Sequence, residues 1–128
     1  MRLLLDTHTL LWWFEGNPAL SRRMRAALSE DGNTIFVSAA TAWEIATKIR
    51  LGRLPFAELL AADLSGYIDA QGFTEMPVTV RHGQRAGALP DLHRDPFDRM
   101  LIAQSLIEDC RLVSNEQLFD RYGVERFW

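Results

Sequence analysis

Four short apolar runs, at 2–5, 35–38, 73–78 and 111–114, constrain this chain more than any other feature. They read Arg-Leu-Leu-Leu, Ile-Phe-Val-Ser, Phe-Thr-Glu-Met-Pro-Val and Arg-Leu-Val-Ser. Each is too short for a helix and does not alternate apolar with polar. Such runs are expected to be strands buried on both faces, as in a parallel sheet. Pro77 sends the third run to a sheet edge or a strand end, because proline cannot donate to a ladder. Helical patterns fill the gaps. Segment 21–28 turns Met24, Ala27 and Leu28 inward and its arginines outward. Segment 41–51 is stopped by Gly52, Pro55 opens another, and 63–70 precedes Gly72. Segment 80–88 is helical despite Gly83 and Gly87. Segment 96–109 has Asp95 as N-cap and Pro96 as first residue. Strand and helix in alternation predict an α/β fold, with a central parallel sheet of four to five strands. Right-handed crossovers place helices on both of its faces.

The 128 residues suit one domain with one core and no linker. Apolar residues at 48 % and charged residues at 24 % exclude a disordered chain. The single cysteine, Cys110, has no partner for an internal disulfide, and no Cys/His pair has zinc-site spacing. No apolar run approaches the ~20 residues of a membrane helix. The opening Met1-Arg2-Leu3-Leu4-Leu5-Asp6 is too short for a secretory signal, so the expected compartment is the cytoplasm. The net charge of −3 does not describe a protein held on nucleic acid by electrostatics alone. Of its 14 bases, 13 are arginine and only Lys48 is lysine, which favours bidentate contacts to carboxylate or phosphate.

Open parallel sheets bind ligands outside the carboxyl ends of their strands. Asp6 ends the first run. Glu44 lies on the helix after the second. Asp95 and Asp98 open the long helix before the last run, and Glu116 follows that run by two residues. A short strand or extended segment near 89–92 is expected to bring the chain back to this edge. Each acid also has a local explanation. Asp6 can cap a helix starting at Thr7 or His8, and Glu44 can pair with Lys48 four residues on. Asp95 and Asp98 fit a capping arrangement, the expected role for Asp95, and Ser114-Asn115-Glu116-Gln117 fits a capping box. No local role explains why all of them fall at one edge. Converging carboxylates repel, and the remedies are shifted pKa values or a bound cation. Hard oxygen donors suit Mg²⁺ or Mn²⁺ better than zinc. The chemistry that follows is phosphodiester hydrolysis, with one or two such ions activating water and stabilising the leaving oxygen.

Four segments carry a family resemblance. They are Leu3-Leu4-Leu5-Asp6-Thr7-His8, the stretch from Ser38 to Lys48 with its Trp43-Glu44-Ile45, the stretch from His93 to Gln104 with its Asp95-Pro96-Phe97-Asp98-Arg99, and Leu112-Val113-Ser114-Asn115-Glu116. In order and spacing they resemble the PIN-domain ribonucleases, and among them the VapC-type toxins of bacterial toxin–antitoxin pairs. The resemblance spans nearly the whole chain. It implies a PIN-like three-layer fold in a single domain over 1–128. It implies an endoribonuclease dependent on Mg²⁺ or Mn²⁺, a cognate antitoxin, and a homodimer that can join a larger complex with that antitoxin. By the same resemblance Asp6, Glu44 and Asp98 are the catalytic, metal-holding acids. Glu116 is the fourth, where the family usually has Asp; one more methylene lets it reach a metal directly or through water. Asp95, Thr7 and Ser114 are assigned to support of the acids or of substrate. Lys48 or Arg99 is expected to steady a carboxylate or touch phosphate.

Leu10-Leu11-Trp12-Trp13-Phe14 is unusually aromatic. Two adjacent tryptophans cannot both face the core of one helix. One reading places one in the core and one partly exposed. The other makes Trp12, Trp13 and Phe14 a surface for an antitoxin or a dimer partner, and the resemblance favours it. Arg22, Arg23 and Arg25 read as a solvated helix face. His8 and His93 lie beside acids, but no general-base role is expected of them. Phe127-Trp128 is expected to pack back on the fold or at an interface. A phosphatase of the haloacid-dehalogenase type would need a second Asp where His8 stands, and no Walker-type loop is present. The alternatives to a toxin are a catalytically silent PIN-fold module that binds RNA or protein, and an RNA-maturation nuclease.

Overall fold

The computed structural model describes residues 1–128, the side chain of Phe56 apart. Strand β1 (Arg2–Leu5) leads into helices α1 (Thr7–Glu15) and α2 (Arg22–Ser29). Strand β2 (Thr34–Ser38) leads into α3 (Ala39–Arg50), a 3-10 turn at Pro55–Ala57, α4 (Glu58–Ala62) and α5 (Leu64–Ala70). Strand β3 (Thr74–Met76) is followed by α6 (Val80–Ala88) and α7 (Pro96–Glu108). Strand β4 (Arg111–Val113), a 3-10 turn at Gln117–Tyr122 and β5 (Arg126–Phe127) complete the chain.

All five strands are parallel, in the order β3-β2-β1-β4-β5. The central strand β1 shows why its sequence is an unbroken apolar run. Leu3, Leu4 and Leu5 have no solvent exposure. Side chains on a strand point alternately to its two faces. Leu3 and Leu5 therefore join Leu10, Met24, Val37, Ile45 and Ile68 on one side of the sheet. Leu4 joins Met76, Leu101, Ile102, Leu112 and Phe119 on the other. Helices cover both faces, as expected, and each such buried leucine contributes about 1.5–3 kcal/mol. Cys110 is buried in the second cluster as a free thiol.

The helix starts follow their caps. The side chains of Ser21, Ser38, Asp63 and Thr79 each accept from a backbone N–H at the start of α2, α3, α5 and α6. Because Ser38 caps, α3 begins two residues earlier than its apolar pattern suggests. The run at 73–78 shortens to β3, an edge strand that ends just before Pro77. Strand β5 has no pattern of its own. Two residues pair with β4 only because Val113 and Leu112 lie open on that edge, and Phe127 thereby packs back on the fold.

One expectation fails. Segment 89–92 is a bend and turn, not a strand. It is held by side chains instead of a ladder. Arg99 donates all five of its N–H groups to carbonyls of Ala86, Gly87, Leu89, Pro90 and His93. The Tyr122 hydroxyl donates to the carbonyl of Pro90 at 3.0 Å and accepts from Leu92 N at 3.1 Å.

Candidate active site

Parallel pairing lines up the strand ends. Leu5 lies opposite Val113, and Leu4 opposite Phe36. Asp6, Ser38 and Ser114 therefore share one edge of the sheet. Asp6 is 5 % exposed. It caps α1 by accepting from Thr9 N at Oδ1, 2.8 Å away. Its Oδ2 has no protein donor among the described residues. The local role and the position at the edge belong to the same side chain.

Glu44 is buried, and both of its oxygens are engaged. The Thr7 hydroxyl donates to Oε1 at 2.5 Å. Lys48 Nζ donates to Oε2 in an ion pair one helical turn away. Thr7 lies 3.4 Å from the Thr41 hydroxyl as well. The polar stripe of Thr41, Glu44 and Lys48 on α3 therefore faces the acids of the other strand ends rather than open solvent.

Asp98 stands in the first turn of α7, whose N-cap is Asp95. Asp95 Oδ1 accepts from both Phe97 N and Asp98 N, at 2.8 and 3.2 Å. Burial, and next the charge of Asp95, push the Asp98 carboxyl up to about 6; His93 pulls it down, while Glu44 and Asp6 add to the rise. The fields of Asp6, Glu44 and Asp95 thus meet at Asp98, which brings carboxylates from three separate segments into one neighbourhood. His93 Nε2 sits 2.8 Å from Asp98 Oδ2. Its Nδ1 faces Asp95 N at 3.4 Å, which leaves the proton on Nε2 to be donated to Asp98. His93 was not expected to take part. Its five-residue offset from Asp98 spans a loop and a helix cap, so no periodicity marks the contact.

Glu116 does not join this group. It is exposed and caps the 3-10 turn, accepting from Leu118 N at 3.2 Å. Its charge reaches Arg126 and is not among those that raise Asp98. Ser114 is fully buried, and its hydroxyl accepts from Glu116 N at 3.0 Å rather than orienting an acid. Arg99 is also reassigned. With every donor on a backbone carbonyl of the last turn of α6 or the loop after it, its guanidinium is taken up by the 86–93 segment and not by a carboxylate.

The donor set fits a hard cation. Asp6 and Asp98 each keep an oxygen without a protein donor among the described residues, and burial with the charges of Asp95, Glu44 and Asp6 holds Asp98 above its usual range. As the side chains stand, however, no three His, Cys, Asp or Glu residues among those described are gathered at metal-binding distance. Glu44 is satisfied by Lys48 and Thr7, and Asp98 by His93.

The family profile of the PIN domain matches residues 3–125. The chain belongs to the PIN domain family. A solved structure shares the PIN fold: a chain of the VapBC2 complex from Rickettsia felis, bound to a DNA fragment from its promoter, has a TM-score of 0.70 at 17 % identity. The alignment covers 95 % of this PIN domain and 93 % of that chain. No curated protein matches the sequence.

The aromatic segment on α1 of this PIN domain is divided. Trp12, Trp13 and Phe14 are all half-buried, so neither tryptophan is the core residue expected of one of them. Trp12 packs between His8 and Trp128. Trp13 lies against Phe73 and donates to Gln71 Oε1 at 3.0 Å. Of the three, Phe14 lines an open groove of about 270 Å³, with Leu11, Glu15, Ala57, Leu59, Leu60 and Tyr67. Arg22 and Arg23 are exposed, but Arg25 donates to the carbonyls of Trp12 and Asn17 and so closes the α1–α2 turn. No helix is long and apolar enough to cross a membrane.

Proposed function

We propose that this PIN domain is a divalent-metal-dependent endoribonuclease and acts in the cytoplasm as the toxin of a toxin–antitoxin pair. The observation that supports the reading is the placement of Asp6, Glu44 and Asp98, from three separate segments, toward one edge of the sheet, where the charges of Asp6 and Glu44 both add to the rise of Asp98 to about 6. Asp6, Glu44 and Asp98 would hold Mg²⁺ or Mn²⁺, and Glu116, which caps the 3-10 turn through Oε1 alone, would assist through its other oxygen. Such an ion supplies Lewis acidity to the phosphate and activates the attacking water. The chain's own groups do the positioning. Thr7 and Lys48 fix the Glu44 carboxylate in one orientation. Asp95 fixes the first turn of α7, and His93 holds one oxygen of Asp98 and leaves the other available. Asp98 must be ionised to serve as a ligand, and with its pKa at about 6 it is mostly so at neutral pH.

The partner in this reading is an antitoxin whose apolar segment lies in the groove of Leu11, Phe14, Leu59 and Tyr67. The likeness to a chain from a VapBC complex supports that partner, and Leu59, 82 % exposed, gives it an anchor. A homodimer, enlarged when the antitoxin binds, is part of the same proposal.

The deciding experiment is cleavage of RNA by the purified protein with Mg²⁺ or Mn²⁺, beside Asp98→Asn and an EDTA control. Cleavage by the parent that EDTA and the substitution both abolish is the expected result. Cleavage that survives both would sink the mechanism. Thermal stability with and without the ions separates the remaining cases, since an ion that binds only the folded chain raises the midpoint. An ion-stabilised but silent protein points to an untried RNA target, including the narrower targets of a maturation nuclease. A protein indifferent to both ions is the silent binding module.

A further inference from the structure

Three of the four tryptophans are half-buried, and Trp12 and Trp13 are packed on other rings. Trp43 is the exception, at 63 % exposed. It sits edge-on against Phe97, with 4.8 Å between ring centroids and 73° between planes. A ring this large left in water forgoes more apolar burial than any other side chain would. Its place in the fold gives the reason. Trp43 directly precedes Glu44 on α3, and Phe97 directly precedes Asp98 on α7. Successive helical residues diverge by about 100°, so Glu44 turns inward to Thr7 while Trp43 stays outward beside it. The two rings bridge α3 and α7 at the same end as the acids. The edge contact with Phe97 holds the indole in one orientation while most of its surface stays open.

Resting on the nuclease reading, we propose that Trp43, buttressed by Phe97, is a stacking platform for an unpaired base of single-stranded RNA flanking the scissile phosphate. Single-stranded RNA is recognised largely by splayed bases stacked on aromatic side chains. Every base has a π-face, so the platform tolerates sequence. It also provides affinity that electrostatics does not, because the neighbouring carboxylates and the net charge of −3 oppose a phosphate chain. A protein partner fits less well. Trp43 is not among the side chains lining the groove of Leu11, Phe14, Leu59 and Tyr67, and the residues that follow it and Phe97 in the chain, Glu44 and Asp98, are acids of the site.

The test is fluorescence anisotropy with a fluorescein-labelled, mixed-sequence single-stranded RNA, in EDTA so that no cleavage intervenes. Parent, Trp43→Phe and Trp43→Ala are compared, with a duplex RNA as control. Trp43→Ala should weaken single-strand binding about ten-fold, the loss of one base–aromatic stack. Trp43→Phe should largely restore it, and duplex binding should be the same for all three. Thermal midpoints should coincide, since the ring is mostly exposed. Equal single-strand affinity in parent and Trp43→Ala would overturn the platform while leaving the nuclease reading untouched. Unchanged RNA affinity with a lost dimer on gel filtration would assign the rings to protein contact and overturn it too. Binding that depends on Trp43, in a protein that neither cleaves RNA nor is stabilised by Mg²⁺ or Mn²⁺, would sink the nuclease reading alone. A parent that binds no single-stranded RNA would overturn the platform and leave the nuclease reading to the cleavage assay.

Discussion

Glu44 and Asp98 are carboxylates of one cluster, delivered by two helices, and the fold treats them in opposite ways. On α3, Glu44 is 3 % exposed, yet Lys48 and Thr7 satisfy both of its oxygens. On α7, Asp98 has no lysine or arginine partner. His93 holds one oxygen, while burial and three neighbouring acids push its pKa up to about 6. The difference shows how a fold can gather acids without a cation in place. One acid is neutralised by a base of its own helix at the favourable i, i+4 spacing. The other is left at the top of its range, where a proton or a metal ion can complete it.

The largest effect expected from breaking this arrangement is on the α3 side. Lys48→Met should destabilise the protein by about 3 kcal/mol in chemical denaturation, because an almost buried carboxylate loses its only cationic partner. A loss below about 1 kcal/mol would mean that Thr7 and solvent suffice for Glu44. Next comes the support of the α7 side. Arg99→Lys keeps the charge but loses the planar five-donor fork that ties down 86–93. It should cost about 2 kcal/mol and lower activity, since His93 rides on that loop. An intact activity profile with the stability loss would show that the loop does not position His93.

Asp98→Asn should move stability the other way. In the folded metal-free protein its pKa lies above the ordinary 3.8. The folded state therefore binds the proton more tightly than the unfolded state does. The associated stability is fully present below about pH 4 and is lost as pH rises through about 6. At pH 7, Asp98→Asn should thus stabilise the metal-free protein by on the order of 2 kcal/mol and flatten its stability between pH 4 and 6. The same substitution should reduce the thermal gain from Mn²⁺. A metal-free Asp98→Asn variant less stable than the parent at pH 7 would refute the raised pKa. The smallest effect is expected from His93→Gln, under about 1 kcal/mol at pH 7. It removes the one influence that lowers Asp98, so the midpoint of the stability–pH curve should move upward.

Much of this arrangement was legible in the sequence. Leu3-Leu4-Leu5 reads as a strand buried on both faces, and Asp95 before Pro96 announces a helix start because a side-chain acceptor is needed there. Asp6, Glu44 and Asp98 stand out because parallel strands carry their ends to one edge. Two of the site candidates carry local roles that the motifs do not show. Glu116 reads as a fourth acid by motif, but a residue two beyond a strand end is as well placed to cap the next turn, and it does so here. Arg99 reads as a ligand for carboxylate or phosphate, yet the 86–93 segment has carbonyls with no ladder to join, and a five-donor fork satisfies them.

Local chemistry is written in neighbouring residues, so the sequence by itself determined the first four strands, the Asp95 cap, the i, i+4 pair of Glu44 and Lys48, and the order of the acids along the chain. Only the tertiary structure decided which acids meet, that His93 reaches Asp98, and that Trp43 stays in water beside them. Those outcomes depend on distances between segments far apart in the chain. They are set by the register of β1 against β2 and β4 and by the packing of α3 on α7, and no spacing within one segment encodes them.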